Sequence, residues 1–141
     1  MNKGKVLLTG HRGYIGSVMG PRLVKAGYDV VGLDTVYYGE DCSFTNEDDG
    51  ITDIGLDIRD ITSENIQGFD TIIHLAALSN DPLGSLQDKL TYDINHYASV
   101  RLAQMAKEAG VSMVGLALDL LTPIVVGGVL LLSHLLKREE W

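Results

Sequence analysis

Three glycines spaced three residues apart, Gly10, Gly13 and Gly16, stand between an apolar run and a helical stripe near the start of the chain. The run at residues 5–9 (KVLLT) is nearly continuously apolar, which is typical of a strand buried on both faces of a parallel sheet. From residue 13 onward apolar side chains recur every three or four positions, which indicates an amphipathic helix ending at Gly27. The pattern predicts a strand, a tight glycine turn and a helix in immediate succession.

The same alternation continues along the chain. Short apolar runs predict three further strands, at residues 29–33 (DVVGL), 52–56 (TDIGL) and 71–75 (TIIHL). Apolar positions at helical spacing between residues 86 and 109 predict a long helix that stops at Gly110. Strands that alternate with helices in this way are typical of the α/β class with a doubly wound parallel sheet. We predict a truncated, Rossmann-like domain at residues 1–114, followed by an apolar C-terminal segment at residues 115–141.

The glycine turn has the chemistry of a dinucleotide site. Gly10 permits the sharp turn, Gly13 lets the backbone approach a pyrophosphate because it has no Cβ, and Gly16 lets the helix pack close to the sheet. The N-terminus of the helix then attracts the anion. Asp34, 24 residues after Gly10, can accept hydrogen bonds from both hydroxyls of an adenosine ribose. Because that carboxylate would repel the 2′-phosphate of NADP, residues 4–60 predict a βαβ unit that binds NAD.

Arg12 lies within the glycine turn and is the argument against this choice of cofactor. In one interpretation its guanidinium contacts the 2′-phosphate of NADP. In the other it is solvated or faces the pyrophosphate, and NAD remains the expected cofactor.

Further motifs lie after the third and fourth predicted strands. With the glycine turn they form the set TGHRGYIG (residues 9–16), Asp34, DIRD (residues 57–60), HLAA (residues 74–77) and Asn95. Together they resemble the extended short-chain dehydrogenase/reductase superfamily, in particular its NAD-dependent epimerase/dehydratase group, which acts largely on nucleotide sugars. The resemblance covers about the first 114 residues and implies an NAD-dependent oxidoreductase.

The resemblance also implies roles for individual residues. In such proteins the Asp-Ile pair of the DxRD segment contacts adenine, which assigns its amino group to Asp57 and its ring edge to Ile58. The turn at residues 75–77 runs beneath the pyrophosphate and the nicotinamide ribose, and Asn95 braces the neighbouring strand. The candidate cofactor-binding residues are Gly10, Arg12, Gly13, Tyr14, Ile15, Gly16, Asp34, Asp57, Ile58, Leu75, Ala76 and Ala77.

Two residues and one segment each have two interpretations. Asp57 can instead be a carboxylate that ends a strand in a turn. His74 lies within an apolar strand, and we interpret it as a buried histidine with satisfied hydrogen bonds rather than as a catalytic group. Residues 79–81 (Ser-Asn-Asp) either face a substrate cleft, as in the family, or form an ordinary turn.

The catalytic groups of the family have no counterpart in these 141 residues. Hydride transfer there uses a Tyr-x-x-x-Lys pair, in which the tyrosine acts as general base. The residues four positions after the six tyrosines are Val18, Gly32, Asp41, Cys42, His96 and Arg101. Residues 113–119 (MVGLALD) replace the Ser/Thr-rich segment expected after a fifth strand. We predict that this chain binds NAD without turning over an epimerase-type substrate, and that a nucleotide sugar binds only to a complete form.

The apolar segment has three interpretations. It can hold a fifth strand at residues 112–118, a short sixth strand within residues 123–126 and a helix at residues 129–136, which is the interpretation we favour. It can instead be a membrane anchor at residues 115–136, followed by Lys137 and Arg138. The third is a foreign or frame-altered end.

Composition excludes several other classes. The 19 acidic and 11 basic residues give a formal charge of −8, which argues against a nucleic-acid partner. Cys42 is the single cysteine, so neither an internal disulfide nor a multi-cysteine zinc site is available. The N-terminus lacks the features of a signal peptide, and we expect a cytoplasmic protein. Apolar surface left by a missing half predicts a homo-oligomer or a partner-complemented form.

Overall fold

The computed structural model describes residues 3–36, 49–78 and 88–115. The strands are β1 (Lys5–Thr9), β2 (Asp29–Asp34), β3 (Thr52–Gly55), β4 (Thr71–His74) and β5 (Ser112–Gly115). The helices are α1 (Gly16–Lys25), α2 (Asp88–Tyr92) and α3 (Ser99–Ala109), with a π-helical segment at Asp93–Ala98 and short 3-10 helices at Ile58–Asp60 and Ser63–Ile66. All neighbouring strands are parallel, in the order β3-β2-β1-β4-β5.

β1 lies at the centre of the sheet because its apolar residues are buried on both faces. Leu7 and Leu8 have no exposed surface. Leu7 belongs to the core cluster that contains Leu102 of α3, whereas Leu8 lies 3.3 Å from the place of a Cβ on Gly20 of α1. Successive strand residues point to opposite faces, so the helices cover both sides of the sheet. This confirms the doubly wound, Rossmann-like class.

The strand order creates a crevice beside β1. The chain adds β2 and β3 on one side of β1 and then returns to place β4 on the other side. In open α/β sheets ligands bind beyond the carboxyl ends of the strands at such a reversal. The register pairs Thr9 with His74, so β1 and β4 end level with each other. The residues that follow these two strands therefore meet at one edge of the sheet.

The strands and α-helices follow the sequence prediction closely, with one-residue shifts at the ends of β2, β3 and β4 and two larger differences. β1 covers the predicted residues, and α3 ends at Gly110, whose φ of +70° is left-handed. α1 begins only at Gly16, because the preceding residues form the glycine turn, in which the Gly13 N–H donates to the Gly10 carbonyl at 3.0 Å. The long second helix is divided by the π-helical segment, which the apolar spacing did not indicate.

The predicted fifth strand is present at residues 112–115. The remainder of the apolar segment, Cys42 and residues 79–81 lie outside the described residues. Among the three described ranges, no helix is long and apolar enough to cross a membrane.

Candidate dinucleotide-binding site

The turn after β1 depends on two residues that have no side chain. Gly10 has a φ of +73°, and a Cβ there would lie 2.7 Å from the backbone nitrogen of Ala76. A Cβ on Gly16 would lie 2.5 Å from the Cα of His11. Such distances exclude any larger residue without a shift of the backbone. The glycines thus bring the turn into contact with both α1 and the segment after β4.

The outer side of this turn leads to the N-terminus of α1. Gly13 is exposed, and the Gly10 carbonyl oxygen lies 3.2 Å from its Cβ position. Among the described residues no side chain forms a capping hydrogen bond at the N-terminus of α1, and the first turn of α1 has no acidic residue. Tyr14 is exposed beside it, and Ile15, the N-cap residue, is half-buried. The N-terminal end of the helix dipole therefore favours an anion here.

Asp34 lies directly against the glycine turn. Its Oδ2 accepts from the Arg12 backbone N–H at 3.0 Å, and its Oδ1 accepts from the Val36 N–H at 2.9 Å. These bonds fix the carboxylate at the carboxyl end of β2, where the sequence predicted an acceptor for ribose hydroxyls. Asp34 and the turn residues are thus brought together.

Asp57 and Ile58 both have partners within the protein. Asp57 caps the first 3-10 helix, since its Oδ1 accepts from the Arg59 N–H at 2.8 Å. It also forms an ion pair with the Arg59 guanidinium, with 2.7 Å between Oδ2 and Nη2. Ile58 is buried in the core cluster. This geometry agrees with a turn carboxylate at Asp57, and the contacts of both residues with adenine stay predictions.

The turn at residues 75–77 is held from two sides. The Leu75 and Ala76 N–H groups each lie 3.3 Å from Oγ1 of Thr9, and Leu75 also donates to the Thr9 carbonyl at 3.0 Å. Asn95, in the π-helical segment, accepts from the Leu78 N–H at 2.8 Å and donates to the Leu78 carbonyl at 2.9 Å. Asn95 therefore has the bracing role implied by the resemblance, although it braces the segment after β4 rather than a strand. Ala77 is exposed between the two supports.

His74 forms a buried polar chain that sequence reasoning identified only in part. Its Nδ1 lies 2.7 Å from Thr9 Oγ1, and its Nε2 lies 2.7 Å from Ser99 Oγ. Because Thr9 Oγ1 accepts from two backbone N–H groups, its own proton points to Nδ1, and Nε2–H donates to Ser99. Burial lowers the pKa of His74 to about 4. The interpretation of His74 as a satisfied core histidine is confirmed, and no spacing in the sequence pointed to its partners.

A second cluster was not anticipated. His11 is buried with its Nε2 against Oδ1 of Asp53, and the Arg12 guanidinium forms an ion pair with Oδ2 of the same carboxylate. Neither sequence interpretation of Arg12 named this partner. The signal that could have indicated it is Gly32, where a Cβ would lie 2.6 Å from His11 Nδ1. A glycine in the middle of a buried strand often marks the close approach of another group.

The described residues fit a dinucleotide on their own geometry. The glycine turn leaves a cradle that side chains would fill, an uncapped helix N-terminus faces the same region, and a carboxylate stands at the end of β2. The backbone after β4 closes the site on the other side of β1.

Comparisons with known proteins agree with this arrangement. One similar solved structure is a UDP-N-acetylglucosamine 4-epimerase from Methanobrevibacter ruminantium M1 in complex with UDP-N-acetylmuramic acid, at 27% identity and a TM-score of 0.67. Another is a UDP-glucose-4-epimerase from Stenotrophomonas maltophila with bound NAD and formylated UDP-arabinopyranose, at 26% identity and a TM-score of 0.68. Each match covers 79% of this chain and 36% of the other. The Bordetella bronchiseptica enzyme WbmF in complex with NAD+ shares the fold at 16% identity and a TM-score of 0.69, covering 91% of this chain and 43% of that one.

This chain therefore spans little more than a third of the length of the two epimerases. A family model matches residues 6–117, which include the whole described sheet except Lys5. The chain belongs to the NAD dependent epimerase/dehydratase family.

Proposed function

We propose that this chain binds NAD and is the N-terminal part of an epimerase or dehydratase that acts on nucleotide sugars. The observation that carries the proposal is the meeting of the glycine turn, Asp34 and residues 75–77 at the carboxyl ends of β1, β2 and β4. The presence of NAD and a UDP-sugar in the Stenotrophomonas structure supports the choice of ligands.

In this proposal each part of the cofactor has its own partners. The pyrophosphate lies against Gly10, Gly13 and the N-terminus of α1, and residues 14–16 also contact it. Asp34 accepts from the hydroxyls of the adenosine ribose, and residues 57–58 lie toward the adenine. The backbone of residues 75–77 supports the nicotinamide side. When bound, NAD supplies a hydride acceptor.

We propose that the chain binds the cofactor without turning over a sugar. The supporting observation is that no tyrosine among these 141 residues is followed by a lysine four positions later. The same observation favours a second candidate, an NAD(H)-binding interaction module that works with a partner. Cytoplasmic location and a complemented or oligomeric form remain part of the proposal.

Titration calorimetry of the full chain tests cofactor binding. We expect NAD to bind, and Asp34→Asn to weaken NAD binding about tenfold, because a charge-assisted acceptor is lost. Asp29→Asn is the matched control, since it removes the same charge at the opposite end of β2 and should leave the Kd unchanged. Absence of NAD binding in the wild-type chain would contradict the proposal.

The same preparation tests turnover. Incubation with NAD and a panel of nucleotide sugars should give neither a change in the absorbance of the reduced cofactor nor a new sugar by chromatography. Sustained turnover by the isolated chain would rule out the proposed lack of catalysis.

A further inference from the structure

Asp53 joins the glycine turn to β3 through two side chains. One carboxylate oxygen contacts Nε2 of His11, and the other contacts Nη2 of Arg12. His11 is 3% exposed and packs against Gly32, which is the register partner of Asp53 on β2. Because the buried His11 ring binds one oxygen, the Asp53 carboxylate is held in place independently of its contact with Arg12. The ion pair therefore costs less side-chain entropy than a pair between two mobile surface groups.

Arg12 is adjacent to the residue expected to select the cofactor. Its backbone N–H donates to Asp34 at 3.0 Å, so its side chain starts beside the expected ribose position. A guanidinium at that place binds phosphate well, since its fork of N–H donors matches two phosphate oxygens. In this structure the guanidinium pairs with Asp53, and its positive charge is compensated.

We propose that Asp53 is a specificity-determining residue that acts through Arg12. This inference rests on the proposed NAD-binding function. Asp34 repels the 2′-phosphate of NADP directly, whereas Asp53 offsets part of the positive charge of Arg12 that attracts this phosphate. Two carboxylates on neighbouring strands thus exclude the same phosphate by different routes. Because the side chain of Asp53 is 44% exposed, solvent screens the pair and limits its contribution to about tenfold in relative affinity.

The test is the ratio of the Kd for NADP to the Kd for NAD, measured by calorimetry on the full chain. In Asp53→Asn this ratio should fall about tenfold, because the negative charge that offsets the guanidinium of Arg12 is removed. Asparagine has the same size and still offers an oxygen to His11. Asp53→Thr is a second variant that suits a strand and also removes the charge, and it should move the ratio in the same direction.

Two further proteins separate this effect from a general change in charge or fold. Adding Arg12→Ala to Asp53→Asn should return the ratio toward the wild-type value, since the phosphate loses its partner. Asp29→Asn should leave the ratio as in the wild type. If the role of Asp53 is purely structural, its substitution weakens the binding of NAD and NADP alike and leaves the ratio of the two Kd values unchanged.

The outcomes distinguish this inference from the function on which it rests. If the wild-type chain binds NAD and both Asp53 variants keep the wild-type ratio, Asp53 does not determine specificity, and the proposed function stands. A gain in NADP binding that persists after Arg12→Ala would also overturn the inference. If the wild-type chain binds no NAD, the proposed function fails first, and this inference fails with it.

Discussion

At the scale of single residues, the most unusual environment belongs to His74. Its ring is buried between Thr9 and Ser99, and both nitrogens have hydrogen-bond partners at 2.7 Å. The chain of bonds continues from Thr9 to the N–H groups of Leu75 and Ala76. The neutral ring therefore supports the backbone of the candidate site, and a second proton on it would have no acceptor at Nδ1.

The stability of the fold should consequently fall in acid. The pKa of His74 is about 4 in the folded chain and 6.5 as the reference value, so between these values the unfolded chain binds more protons. The contribution of neutral His74 to the free energy of unfolding is fully present above about pH 6.5. As the pH falls toward 4, the free energy of unfolding decreases by roughly 3 kcal/mol in total.

Urea denaturation at a series of pH values measures this loss. His74→Gln keeps a donor for Ser99 but cannot titrate, so the free energy of unfolding should depend less on pH in this variant. Equal pH dependence in the two proteins would assign the acid sensitivity to other groups.

The roles of some site residues could be predicted from the sequence, whereas the partners of others could not, for a physical reason. Asp34 and the three glycines act through the backbone within one βαβ unit, so their spacing along the chain carries the information. The pairing of Arg12 with Asp53 depends on the register of β3 beside β2, in which Gly32 faces Asp53. No local pattern encodes that register.

At the scale of elements, α1 is placed by its contact with the turn that precedes it. Gly16, Ser17 and Gly20 form its buried surface, so small residues let the helix axis lie close to β1 and β2. Pro21 lies inside the helix and cannot donate a backbone hydrogen bond there. Packing rather than helix propensity therefore keeps α1 in position.

Gly16→Ala should destabilise the fold by about 1–3 kcal/mol, since the added methyl group meets backbone atoms of the turn that cannot rotate away. Gly55→Ala is the matched control, because within the described ranges no atom other than those of its chain neighbours lies within 4 Å of a Cβ there. Thermal denaturation of the two variants compares them directly. A Tm of Gly16→Ala equal to that of Gly55→Ala would show that α1 does not rest on this contact.

The elements also show where hydrophobic periodicity is informative. It predicted β1 because the strand is buried on both faces, and it predicted β3 weakly because three of its four residues are exposed. It missed the π-helical segment, in which residues five apart become neighbours. There the rings of Tyr92 and Tyr97 lie with centroids 4.9 Å apart, a pair that an α-helical spacing would not indicate.

At the scale of the whole molecule, the candidate site joins parts that are distant in sequence. Thr9 and His74 are 65 residues apart and end adjacent strands, and Asn95 of the π-helical segment binds Leu78 just after β4. A ligand that contacts all these parts stabilises the fold as one unit, since it binds the folded state and not the unfolded chain.

NAD at a hundred times its Kd should therefore raise the free energy of unfolding by about 2.7 kcal/mol. Thermal shift with increasing NAD measures this effect, and the Asp34→Asn variant should need a correspondingly higher concentration for the same shift. An unchanged Tm at saturating NAD would mean that the cofactor does not bind the folded chain.

The contact between Gly10 and the segment after β4 has a consequence for how such a sequence tolerates substitution. On the side of Leu75 and Ala76 the atoms concerned are the carbonyl carbon, the amide nitrogen and the Cα, which every amino acid possesses. On the other side the contact requires that Gly10 have no Cβ at all. Substitutions at this contact are thus tolerated unequally. The side chains of Leu75 and Ala76 can vary in identity, whereas Gly10 cannot be replaced.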